Sequence, residues 1–155
     1  MKTLICATLL ALSLGAAPAD PVSWKVEEAP KPVRAGGRFT VRLVAKIQDT
    51  WHLYSMKAME DGPIPTRLVL ADGQPFQLAG PVKGDEPQTM QDPTLKMDVE
   101  LYEGAAGFTL PVKVAANAAP GALTMVVNAT YQSCNNKMCL PPKTVKVEVP
   151  VTVSK

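Results

Sequence analysis

VKVEVPVTV, residues 145–153, sets a valine at every odd position and lysine, glutamate, proline or threonine between them. In an extended chain successive side chains point to opposite faces, so the five valines share one face and the polar residues the other. That is the signature of a strand with one side on a core. The same period recurs upstream. Phe39, Val41, Leu43, Ala45 and Ile47 alternate with more polar neighbours, as do Leu95, Met97, Val99 and Leu101. Phe108, Leu110, Val112 and Val114 follow, then Leu123, Met125, Val127, Ala129 and Tyr131. Turn signals punctuate the runs: Ala35-Gly36-Gly37, Asp61-Gly62-Pro63, Asp72-Gly73, Glu103-Gly104 and Pro120-Gly121. No stretch carries a helical period. Many short strands with Gly/Pro turns predict an all-β, immunoglobulin-like antiparallel β-sandwich, with a small barrel as the alternative. Gly80 to Pro93 lacks alternation and reads as one long loop, a kind of segment that is often functional.

Between the last two runs lies YQSCNNKMCLPP, residues 131–142, with Cys134 and Cys139 five positions apart and a double proline after them. Three chemistries fit the pair. As a staple it is weak, because closing a six-residue ring is credited with about 2 kcal/mol, against more than 4 for a link spanning some seventy residues. As a metal clip it lacks ligands. Zinc usually takes four from Cys, His or carboxylate, and His52 is the one histidine of the chain. Copper(I) accepts thiolates and thioethers, which would bring in Met138, with Met56, Met59 and Met90 elsewhere. As a reactive disulfide the pair gains from its position. A short ring at a loop is accessible to an attacking thiolate, Lys137 favours a neighbouring thiolate, and Pro141 and Pro142 bar regular pairing beside Cys139.

The compartment follows from the first residues. Lys2 precedes an apolar run, Leu4 to Leu14, and Ala17-Pro18-Ala19 supplies the small-x-small pattern of a signal-peptide cleavage site. Residues 1–19 are therefore expected to be a leader, cleaved after Ala19, and residues 20–155 a single exported domain. The leader would take Cys6 with it, leaving Cys134 and Cys139 as an even pair in an oxidising compartment. The chain has 16 basic and 14 acidic residues; without Lys2 the balance is 15 to 14. So even a balance gives no electrostatic reason for nucleic acid or anionic membrane as a partner. After the leader no apolar stretch approaches membrane-spanning length, and direct membrane insertion is not expected.

Tyr131-Gln132-Ser133-Cys134 and Cys139-Leu140-Pro141-Pro142 resemble the active-site hairpin of the N-terminal (alpha) domain of DsbD, the bacterial thiol:disulfide interchange protein. Trp51-His52-Leu53-Tyr54-Ser55 is similar to that family's aromatic strand, and Gly62-Pro63-Ile64-Pro65-Thr66 to a segment common among its members. The resemblance spans about Val22 to Val153. It implies an immunoglobulin-like domain that passes reducing equivalents in the periplasm. A membrane electron donor would supply them and thioredoxin-fold periplasmic proteins would receive them, with no cofactor. By the same resemblance Cys139 matches the cysteine that forms the mixed disulfide and Cys134 the one that resolves it. Tyr54 would line the site, and Asp85 and Glu86 would lie on a loop leading towards it.

The chain departs from the family pattern in three ways. Four residues separate the cysteines where some members have five. Pro87-Gln88 follows Asp85-Glu86 where members place a shielding aromatic, and Met90 is the candidate substitute. The membrane and thioredoxin-like parts are absent from the 155 residues, so a stand-alone relative with separate redox partners is expected. Two readings from other classes stay open: a non-catalytic adaptor whose disulfide pins a hairpin, and a copper-handling protein. The remaining features have simpler readings. His52 titrates near neutrality in its unperturbed state, but a histidine between Trp51 and Leu53 is more often a packed or surface residue. Trp24 and Trp51 read as core or sheet-face anchors. Asn128-Ala129-Thr130 fits a glycosylation pattern but sits in an expected strand.

Overall fold

The structure is a computed structural model that describes residues 19–155. The expected leader, residues 1–19, and its Cys6 lie outside the described residues except for Ala19. Among the described residues thirteen strands follow one another: β1 Val22–Val26, β2 Val33–Arg34, β3 Arg38–Ile47, β4 Trp51–Tyr54, β5 Arg67–Leu70, β6 Phe76–Leu78, β7 Lys83–Gly84, β8 Gln88–Asp92, β9 Met97–Glu103, β10 Ala105–Val114, β11 Gly121–Tyr131, β12 Ser133–Asn135 and β13 Lys143–Ser154. Among the described residues there is no helix long and apolar enough to cross a membrane.

The strands form three sheets. The first runs β1-β3-β10-β6, with β7 also on β10; the second runs β2-β13-β11-β5; the third runs β12-β4-β9-β8. All pairs are antiparallel except the short β2–β13 contact. The valine run sits where its period demands. In β13, Val147, Val149, Val151 and Val153 are buried and the residues between them exposed. They pack with Met125, Val127, Ala129 and Tyr131 of β11 against Val41, Leu43, Ala45 and Ile47 of β3 and Phe108, Leu110, Val112 and Val114 of β10. Two antiparallel sheets facing each other across this core make an immunoglobulin-like sandwich.

Gly80–Pro93 departs from the long loop expected of it. Lys83–Gly84 pairs with Thr109 and Phe108 of β10, and Gln88–Asp92 pairs with Leu101 through Met97 of β9. The alternation is missing because β8 is an edge strand whose first four residues are exposed, so it has no core face to write into the sequence. Leu95, expected within a strand, lies in the turn before β9, where Lys96 adopts a left-handed φ of 57°. Leu53 and Tyr102 of the third sheet join the main core, and a small second cluster of Tyr54, Val99, Leu101 and Cys134 lies on that sheet's other face.

Candidate active site

The chain leaves the second sheet at Tyr131 and crosses to the third. Ser133, Cys134 and Asn135 pair with Leu53, His52 and Trp51 of β4. A tight turn then returns it. The Asn135 side-chain oxygen accepts the N–H groups of Lys137 and Met138, each at 2.9 Å, and the Asn135 N–H donates to the Met138 carbonyl at 2.9 Å. Asn135 thus supplies the local bonds that a turn of this length needs. The Leu140 N–H donates to the Ser133 carbonyl at 2.9 Å, and Cys134 and Cys139 face each other across the turn as a disulfide.

The two sulfurs live in different surroundings. Cys134 is fully buried in the second cluster, whereas Cys139 is partly exposed at its margin. Met138 beside it is 48% exposed. Thiol–disulfide exchange requires a path to one sulfur, and the path here leads to Cys139.

Behind Cys139 stands a buried polar group. The Tyr54 hydroxyl lies 4.0 Å from Cys139 Sγ and donates to Asp92 Oδ2 at 2.6 Å. His52 Nε2 lies 3.0 Å from the same oxygen and 3.3 Å from the Tyr54 hydroxyl. Asp92 Oδ1 accepts the N–H groups of Thr94 at 2.8 Å and Leu95 at 2.9 Å. Burial opposes ionisation of Asp92. The bonds from Tyr54, Leu95 and Thr94 and the nearby His52 outweigh it and hold the carboxyl below its ordinary value. Burial, then the bond to Asp92 and its charge, push the Tyr54 hydroxyl well above its ordinary value. An ionised Asp92 accepts hydrogen bonds only, so His52 presents its Nε2 proton to it and Tyr54 its hydroxyl proton.

The resemblance pointed to six residues, and the structure gathers three of them: Cys134, Cys139 and Tyr54. Asp85 is held on the first sheet. Its carboxylate accepts from Arg42 Nη2 at 2.8 and 2.9 Å and from the Gly107 N–H at 2.7 Å. Any side chain at Gly107 would run into the Arg42 guanidinium. Glu86 is exposed. Met90 is 41% exposed on the edge strand, opposite Val99. The segment that reaches the cysteine turn is Asp92–Met97. Leu95 and Met97 pack on the cluster that holds Cys134, and Thr94 Oγ1 donates to the Asn135 carbonyl at 3.2 Å. Met59 packs there too. Asp92 escaped the sequence reading, although Asp-Pro-Thr is a signal for an aspartate bonding to the backbone two residues on. Among the described residues no group of three or more His, Cys, Asp and Glu side chains is arranged to hold a metal ion.

The family model for the N-terminal domain of the thiol:disulfide interchange protein DsbD matches residues 23–150. Two solved structures are similar. The N-terminal domain of Neisseria meningitidis DsbD, in its reduced form, aligns with a TM-score of 0.52 at 18% identity, covering 80% of this chain and 86% of that one. The N-terminal periplasmic domain of ScsB from Proteus mirabilis aligns with a TM-score of 0.54 at 12% identity, covering 83% of this chain and 44% of that one. This chain therefore spans less than half of the ScsB domain. Comparison with curated protein sequences finds no match.

Proposed function

The chain belongs to the family of DsbD N-terminal domains, and from that premise we propose that it relays reducing equivalents in the periplasm, cycling Cys134 and Cys139 between disulfide and dithiol. Family membership and the disulfide support thiol–disulfide interchange in general terms. The observation that carries the relay reading is the unequal burial of the two sulfurs, Cys134 enclosed and Cys139 reachable.

The cycle has two halves. A donor thiolate attacks Cys139 Sγ, the Cys134–Cys139 bond breaks, and Cys134 leaves as a thiolate that takes up a proton. The donor's second thiol then attacks its own sulfur in the mixed disulfide and frees Cys139. In the second half the Cys139 thiolate attacks an acceptor disulfide, and Cys134 resolves the mixed disulfide and restores the internal bond. Two electrons and two protons pass from donor dithiol to acceptor disulfide. In the reduced state the Cys139 thiol lies beside the Tyr54 hydroxyl, whose proton is committed to Asp92, so the thiol can donate to the Tyr54 oxygen. Donor and acceptor are thioredoxin-fold proteins, the donor being linked to a membrane electron source, and the chain is exported with its leader cleaved after Ala19.

The test is covalent trapping. Cys134→Ser leaves Cys139 without its resolving thiol, so it should accumulate a mixed disulfide with a partner that runs as a reducible adduct on gels. Cys139→Ser should yield no adduct and no transfer. If Cys134→Ser forms no adduct with an oxidised thioredoxin-fold partner, the pair is a structural pin and the relay reading falls.

A further inference from the structure

The cysteine turn rises from the last rung of a long ladder. β11 and β13 pair over eleven positions, ending with Tyr131 opposite Lys143. Three residues beyond Tyr131 comes Cys134, and four before Lys143 comes Cys139. Fraying of that rung would let the two sulfurs drift apart, and a single side chain from another part of the fold closes it. Asp20 Oδ2 accepts from the Tyr131 hydroxyl at 2.5 Å and from Lys143 Nζ at 2.8 Å, while Oδ1 accepts the Val22 N–H at 3.0 Å. One carboxylate therefore grips both stems of the turn and the first residue of β1, which belongs to the opposite sheet. The grip is backed by packing. Tyr131 is buried, its ring lies 5.7 Å from that of Trp24, and Trp24 lies 5.4 Å from Phe108 in the core.

We propose that Asp20 is a positioning residue for the exchange reaction: by binding Tyr131 and Lys143 together it holds the stems of the cysteine turn in register and so sets how strongly the pair favours its disulfide form. The inference rests on the exchange reading above. Its physical basis is effective concentration. Two thiols on stems held at a fixed spacing meet more often than two on frayed stems, and disulfide formation gains accordingly. The charges agree with the geometry. Burial opposes ionisation of Asp20, but the bonds from Lys143, Tyr131 and Val22 prevail and hold its carboxyl below the ordinary value.

The experiment equilibrates the purified protein with graded ratios of reduced and oxidised glutathione, where protein dithiol plus oxidised glutathione gives protein disulfide plus two reduced glutathiones. Tyr131→Phe keeps the ring on Trp24 and removes only the hydroxyl, and Asp20→Ala removes the carboxylate. Each should lower the equilibrium constant for forming the Cys134–Cys139 bond three- to tenfold. At 29.6 mV per tenfold this is a potential about 15–30 mV less negative. The double variant should fall short of the sum, because both changes act on one bond. If both single variants match the wild-type constant while melting earlier, or if either shifts it the other way, the inference is overturned and Asp20 is only a brace. Should Asp20→Ala fail to fold, Tyr131→Phe decides alone. A wild-type pair that stays oxidised at every glutathione ratio defeats the exchange reading and the inference with it; a wild-type pair that equilibrates, with variants identical to it, defeats the inference alone.

Discussion

Asp92 concentrates the chemistry of the site in one side chain. Its four hydrogen-bond partners are Tyr54, His52 and the N–H groups of Thr94 and Leu95, and the residue is 1% exposed. Replacing it by Asn keeps the shape, but one carboxylate oxygen becomes an NH2 group that meets donors. Asp92→Asn should therefore cost about 1–3 kcal/mol at pH 7, the range for leaving buried partners unsatisfied. The pH dependence follows from the direction of the shift. A carboxyl held below its ordinary value in the fold contributes stability that is complete above the unfolded value, about 3.9 for Asp, and disappears as pH falls through the folded one. Denaturant unfolding at pH 7, 5 and 3.5 should show a flat wild-type stability down to about pH 5 and a decline below pH 4, with the gap to Asp92→Asn narrowing in acid. A gap that stays constant would mean that Asp92 is not charged in the fold. Little of this was legible in advance. An aspartate before a proline looks like any solvated turn residue, and only the fold shows that Tyr54 and His52 of β4 and Asp92 at the end of β8 meet behind Cys139.

At the scale of elements, the strands that place the site depend on short turns, and one of them is strained. Thr50, exposed between β3 and β4, has a φ of 71°. A β-branched residue is disfavoured in that left-handed region by about 1–2 kcal/mol. The turn sets the register of β4 and hence of His52 and Tyr54. Thr50→Gly should relieve the strain and stabilise the protein by up to about 1 kcal/mol, the greater freedom of glycine in the unfolded chain offsetting part of the gain. Thermal melts of the two proteins check it; a lower melting temperature for Thr50→Gly would show that the Thr50 side chain earns its place by contacts instead. The elements that were legible are those with one face on the core. Each alternating run found in the sequence is a strand in the structure, save that Leu95 falls in the turn before its own, because burial on one side leaves a period-two record. β8 left no record, since nothing requires its exposed residues to alternate. The staging of the site was hidden for the same reason: its third side is the turn after β8, and a turn bonding through its own backbone has no period at all.

At the scale of the whole molecule, the disulfide and the main core are separate. The large cluster between the first two sheets contains neither cysteine, and Cys134 belongs to the small cluster. Reduction should then cost about 2 kcal/mol, the value for so short a ring, and leave the sandwich folded. Urea unfolding with and without a strong reductant should show a lower midpoint with the slope unchanged, and loss of the cooperative transition on reduction would contradict it. A domain that must survive both redox states is served by this separation. The third sheet shows how the outer margin of such a domain is made safe. β8 is its last strand, with one row of backbone donors and acceptors facing outwards. An open edge of this kind invites other chains to add themselves to the sheet and aggregate. Here the invitation is withdrawn by the residues themselves: the edge is five residues long, its exposed positions are Gln88, Thr89, Met90 and Gln91, and Pro93 follows at once. The stretch that looked like an unstructured loop is polar and brief because a longer, greasier strand in its place would make every copy of the protein a template for the next.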